Sequence, residues 1–128
     1  MFNFQLILYV AVAGAIGAVS RMGVTQLLGL WLGRGYPWGT LAVNLLGSFT
    51  MGYVVGHWSH QMQGFSSEFR AAIIVGFLGA FTTMSSFSID SLELMQRGDW
   101  FKALSYVGIT ILGSLLAVAT GFYLTLKN

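Results

Sequence analysis

Gly76-Phe77-Leu78-Gly79-Ala80-Phe81-Thr82-Thr83-Met84-Ser85-Ser86-Phe87-Ser88-Ile89-Asp90 decides how this chain is read. The stretch lies inside an apolar span that begins near Phe69. Within it are two Gly, two Thr and three Ser, and it ends on a carboxylate. A plain membrane helix needs none of these, because Gly exposes backbone and hydroxyls compete for backbone groups. The pattern predicts a helix that breaks near Gly79–Thr83 and resumes at about Met84. Irregular backbone at membrane depth is tolerated only where protein buries it or where it lines a wet cavity. The break is therefore an ion site, a pathway wall or a packing junction.

The rest of the chain supports a membrane setting. Of 128 residues, 55% are hydrophobic and only 8% charged, with mean hydropathy +0.73. Soluble domains carry about 25% charged residues. Four spans can be drawn, at about 4–32, 37–58, 69–95 and 100–126. Each is long enough to cross roughly 30 Å of hydrocarbon. The expected fold is an all-α membrane protein, a single four-span domain over 1–128 with its third span broken. All four Trp (Trp31, Trp38, Trp58, Trp100) fall at span ends, as interfacial aromatics do. Pro37, the only proline, sits where a helix starts and its missing N–H costs nothing. The N-terminus Met1-Phe2-Asn3-Phe4 has no basic region and the first apolar segment is long, so no cleaved signal peptide is expected.

Several classes are set aside. There is no Cys, hence no disulfide or thiolate metal site. A net charge of +2, scattered along the chain, does not suggest nucleic acid. His57 and His60 have no carboxylate cluster beside them, so a metal site there is not expected. No Ser-His-Asp set, paired carboxylates or phosphate-binding loop appears, and the chain is not expected to be an enzyme.

The basic residues give no orientation. The N-terminus, second loop and C-terminus share a side that carries Arg70 and Lys127, and the other side carries Arg34, Arg97 and Lys102. Two against three is no bias under the positive-inside rule. The rule is either weak on so few charges, or the chain inserts both ways and pairs antiparallel. Small residues offer packing faces: Gly14 and Ala18, then Ser48, Gly52 and Gly56, then Gly113, Ala117 and Gly121.

A few polar residues stand where hydrocarbon disfavours them. Arg21, inside the first span, either snorkels to the interface or presents a fixed positive charge to a wet vestibule. Asn44, inside the second, is either an interhelical bond or an amide donor to an anion. Tyr106, Thr110 and Ser114 recur every four residues and put three hydroxyls on one helix face. Asp90 either accepts from neighbouring Ser and Thr or closes a polar path. Composition and spacing stop at a four-span membrane protein with a candidate anion pathway.

Along essentially its whole length the chain resembles the Fluc (CrcB-type) fluoride channels. The carrying motifs are Gly17-Ala18-Val19-Ser20-Arg21, Gly39-Thr40-Leu41-Ala42-Val43-Asn44, the stretch from Gly76 to Ser88, and Gly113-Ser114. The resemblance implies an antiparallel, dual-topology homodimer in the cell (inner) membrane, surrounded by lipid, that exports cytoplasmic fluoride passively. It implies two pores per dimer, and one structural Na⁺ held at the dimer centre by backbone carbonyls matching Gly79 and Thr82. Each pore would use Asn44 as anion ligand and Tyr106, Thr110 and Ser114 as a polar track. Ser85, Thr40, Ser86 and Asp90 would also line the path, and Arg21 would stand near the vestibule. Family members usually place Phe at two positions three apart; here the second is Phe87 but the first is Met84, and Asp90 replaces the common Glu. A thioether offers no polarised ring edge, and Phe81 is out of register.

Two rivals belong to other classes. A small proton-coupled exporter, also of dual topology, would need a carboxylate in its first span, whose only charge is Arg21. A non-transporting assembly subunit would explain the small-residue faces but neither the hydroxyl ladder nor the broken span.

Overall fold

In the computed structural model, residues 3–61 and 64–127 are described. Met1, Phe2, and Met62 and Gln63 of the second connection lie outside the described residues, as does Asn128. Four helical stretches are long and apolar enough to cross a membrane: Phe4–Leu32, Trp38–His60, Ser67–Gln96 and Trp100–Lys127.

Helix α1 (Phe4–Leu32) starts at Asn3, whose side chain accepts from the N–H groups of Gln5 and Leu6. Its 29 residues extend for about 43 Å. It ends where Gly33 adopts φ 82°, a conformation that favours glycine. Helix α2 (Trp38–His60) begins after Pro37 and carries the largest buried stripe: Gly39, Thr40, Leu41, Val43, Asn44, Gly47, Gly52 and Gly56. Helix α6 (Trp100–Leu124) runs against it and closes in a 3₁₀ turn, Thr125–Lys127.

Backbone contact, more than side-chain volume, joins α2 to α6. A methyl added at Gly52 would strike the Val118 carbonyl, and one at Gly121 would strike the Phe49 carbonyl. Each helix thus presents a glycine to a carbonyl of the other. Within lipid, where apolar burial offers no net drive, such close approach is what holds helices together. Of the small residues read from the sequence, Gly52, Gly56 and Gly121 are buried in this way, while Gly113 faces Leu45.

The third span is composite. Helix α3 (Ser67–Ala71) is capped by Ser66, which accepts from the Phe69 N–H. A π-helical segment, Ala72–Leu78, follows, and the Gly79 N–H reaches back five residues to the Ile74 carbonyl. Helix α4 (Gly79–Phe81) is a single turn; the chain then runs extended through Thr82 and Thr83 before α5 (Met84–Gln96) restarts. The break therefore falls where the sequence places it. The π segment was not anticipated, because Ile73-Ile74-Val75 reads simply as apolar. It lies on α1, where a methyl at Gly17 would collide with the Phe77 carbonyl and one at Gly76 would sit 2.8 Å from Ala13 Cβ.

Helix α5 ends in paired turn bonds, Gly98 N–H to Met95 C=O and Asp99 N–H to Leu94 C=O, with Gly98 at φ 78°. This is the reciprocal C-cap that satisfies orphan carbonyls and turns the chain sharply into α6. The small core is Leu41, Leu94, Ala103 and Tyr106, flanked by Tyr36, Leu45, Phe87 and Met95. The outward faces of α1 and α6 are rows of exposed Leu, Ile, Val and Phe, suited to lipid.

Replacing Gly52 by Val should destabilise the protein by about 2 kcal/mol or more through overpacking, read as a lower unfolding midpoint in detergent. Gly108→Ala, where nothing lies within 4 Å of the added methyl, should leave it unchanged. Equal midpoints for the two would refute the glycine-on-carbonyl account.

Candidate functional site: a broken helix and a hydroxyl-lined path

The site is built around the break. Asn44 Nδ2 donates to the Thr83 carbonyl at 3.1 Å, and the Thr83 N–H donates to Asn44 Oδ1 at 2.8 Å. A side-chain amide thereby takes the place of a peptide group opposite Thr83. Both residues are buried. Thr83 Oγ1 caps α5 by accepting from the Ser86 N–H at 3.1 Å, and it also meets the hydroxyls of Ser85 and Ser86 at 3.2 Å. Asn44, Ser85 and Ser86 are thus gathered around one threonine. The sequence alone assigns Thr83 no role. Its signal was legible all the same, as a threonine standing directly before a helix restart.

These bonds also define which carbonyls leave the helical ladder. In an uninterrupted helix the N–H groups of Thr83 and Ser86 would close on the carbonyls of Gly79 and Thr82. Here one goes to Asn44 and the other to Thr83 Oγ1. The Thr82 hydroxyl turns back to the Leu78 carbonyl at 3.0 Å. Among the described residues no three His, Cys, Asp or Glu side chains gather to hold a metal. A hard cation at this place would thus rely on backbone oxygens, the ligand type such ions prefer. The freed carbonyls of Gly79 and Thr82 fit that requirement, and Gly79 is exposed on the chain's outer face.

A second cluster lies toward the other end of α5. Tyr106 is fully buried, and its phenol donates to Asp90 Oδ2 at 3.1 Å. Its ring meets Phe87 with centroids 5.4 Å apart and Tyr36 in a T-shaped pair at 5.7 Å. Thr110, one turn along α6, is buried, and its Oγ1 is the one buried side-chain polar atom without a partner among the described residues. Ser114 is half-buried beyond it. Thr40 and Asp90 face a cavity of about 230 Å³ that opens at the α1–α2 loop and also touches Arg34, Glu93 and Arg97.

Other candidates stand apart. Arg21 is half-buried on α1 and does not line this cavity. Met84 is 73% exposed, whereas Phe87, three residues on, packs on Tyr106. Side chains three apart on a helix here face different surroundings. His57 stacks on Tyr53 with centroids 6.2 Å apart.

The family described as CrcB-like protein, Camphor Resistance (CrcB), matches residues 8–122. This chain belongs to that family. It is 44% identical over 120 residues to a protein of Magnetococcus marinus, a match covering 94% of each chain. It is 43% identical to one of Hahella chejuensis over 93% of each, and 39% identical to one of Vibrio parahaemolyticus over the full length of both. All three carry the name fluoride-specific ion channel FluC. That name describes a channel and not an enzyme, in agreement with the sequence reading. With four helices able to span a bilayer, this CrcB-family chain is a multi-pass membrane protein.

Asn44→Leu leaves the Thr83 N–H and C=O buried without partners, and should cost about 2–4 kcal/mol. Thr83→Ala keeps the backbone pairing but removes the cap, and should cost about 1 kcal/mol. Unfolding midpoints in detergent should follow that order; the reverse order would show that the cap, not the amide clamp, holds the break.

Proposed function

We propose that this chain is a fluoride channel of the cell (inner) membrane, working as an antiparallel homodimer with two pores. The observation that carries the reading is Thr110: a buried hydroxyl with free hydrogen-bonding capacity, on the same helix face as Tyr106 and Ser114. A buried polar group left unpaired by its own fold needs a partner, a water or an ion. The names of the relatives supply the identity of the ion.

Fluoride is a small anion and a strong hydrogen-bond acceptor, so a dry path must replace its water with donors. Thr110 and Ser114 offer hydroxyls. Asn44 offers one N–H, since an amide nitrogen carries two hydrogens and one is engaged by Thr83. Phe87 offers a positively polarised ring edge. Tyr106 differs from these, because its proton points at Asp90; it serves the path by fixing that carboxylate at the cavity it shares with Thr40, while Ser85 and Ser86 line the path at the break. Passage is downhill, with no energy-coupling motif in the chain, and would release fluoride that accumulates in the cytoplasm. Arg21, outside the cavity of this chain, would act from the far vestibule.

The exposed break supports the dimer. Two copies meeting there would bring the carbonyls of Gly79 and Thr82 into one set of four and hold a Na⁺. Such an ion supplies fixed positive charge and ties the two breaks together. Met84, uncovered by its own chain, would lie toward the partner or the pore.

Liposomes holding the purified protein should lose fluoride rapidly and chloride not at all under equal gradients. Thr110→Val keeps the shape and removes the hydroxyl. It should slow fluoride by about tenfold, the factor that roughly 1.4 kcal/mol of hydrogen bonding supplies. Unchanged flux would reduce the ladder to packing. Asn44→Asp is expected to stop flux, but it also replaces the donor to the Thr83 carbonyl, so Thr110→Val is the cleaner test. Met84→Phe should raise flux if a second ring edge is limiting.

A further inference from the structure

Beside the path's own Asp90, the mouth of the cavity carries three charges that the path does not use. Four charged side chains line it: Arg34, Asp90, Glu93 and Arg97. Three have partners there. Asp90 accepts from Tyr106, and Glu93 and Arg97 form an ion pair at 3.8 Å, both about half exposed. Arg34 forms no ion pair among the described residues.

Arg34 is nonetheless held in place. Its loop is fastened by Lys102 Nζ donating to the Gly35 carbonyl at 3.3 Å, and by the Tyr36 hydroxyl meeting Ser105 Oγ at 3.4 Å. A methyl built on Gly29 would come within 3.9 Å of Arg34 Cγ and 4.0 Å of its Nε. The guanidinium stem therefore lies back over the last turn of α1, where the helix dipole favours a cation. Gly29 lines the same cavity.

We propose that Arg34 is the anion-capture residue of this mouth, and that Arg97 serves it by neutralising Glu93. The proposal rests on the channel reading above. The four lining charges sum to zero and the Lys102 ammonium on the Gly35 carbonyl adds one positive charge beside them, so losing either guanidinium lowers the positive potential that an approaching anion meets. A unit charge about 7 Å away in water changes the local concentration of a monovalent ion by about threefold. The effect is strong near 10 mM ionic strength, where the screening length is about 30 Å, and vanishes near 1 M, where it is about 3 Å.

The absence of cysteine from the chain allows a test that does not depend on conduction. Gln26 is exposed and lines the cavity; Gln26→Cys gives a single thiol at the mouth. Its modification rates by an anionic sulfonate-bearing and a cationic ammonium-bearing thiosulfonate reagent give a ratio that reports the local potential. Near 10 mM salt, Arg34→Gln should lower the anion-to-cation ratio about tenfold, since the two rates move in opposite directions by about threefold each. Arg34→Lys should preserve the ratio. Arg97→Gln should lower it, and adding Glu93→Gln should restore it. Near 1 M salt all the ratios should converge. An Arg34→Gln ratio equal to that of the parent at low salt would overturn the proposal, even if flux fell. A parent protein that conducts no fluoride but shows the predicted ratios would instead overturn the channel reading and leave anion capture standing.

Discussion

A reciprocal pair of hydrogen bonds between one side chain and one peptide unit supports the rest of this structure. Helix breaks are costly at membrane depth, because each freed backbone group loses its partner and finds no water. Asn44 answers both groups of Thr83 at once. Thr83 in turn answers the first turn of α5 with its own hydroxyl. The break can therefore exist with the N–H groups of Thr83 and Ser86 drawn away from the carbonyls of Gly79 and Thr82. A carboxylate at 44 could accept but not donate, and an alkyl chain could do neither.

Asn44 can act this way only because α2 is held rigidly. Its buried stripe faces three other spans, and its glycines bring the α6 backbone close enough to fix the crossing. On that fixed wall α6 presents Tyr106 and Thr110, and α5 presents Phe87 and Asp90. Polar chemistry in the interior is thus borne by helices whose mutual distance is set by missing side chains. The same logic leaves large residues outside, where lipid receives them.

Much of this was legible in the sequence. Four apolar runs bounded by tryptophan, and a hydroxyl-rich stretch with two glycines, led to four spans and a break near Gly79–Thr83. The four-residue spacing of Tyr106, Thr110 and Ser114 led to a shared helix face, on which the first two are buried and Ser114 is half-buried. Other features were not legible, for physical reasons. A π segment has no compositional mark that separates it from an apolar α-helix. The choice for Asn44 between an interhelical bond and an anion donor depended on where Thr83 would lie, and a long-range partner leaves no local trace. Here the amide bonds Thr83 and keeps one N–H in reserve. Arg34 and Arg97 read as charges of two separate connections and Glu93 as part of the third span, until folding brought the three to one rim.

The π segment bears on how the two halves of the third span are phased. Successive residues of an α-helix advance by about 100°. Winding Ala72–Leu78 with bonds five residues apart accommodates backbone that a regular helix would place on another azimuth. The segment sits against the glycine face of α1, upstream of everything chemical. It therefore works as a phase adjuster: it decides toward which neighbour α4 leads the chain, and so which way the break opens. The orientation of Phe87 and Asp90 is then set anew beyond the break, where the Asn44–Thr83 pair fixes the start of α5.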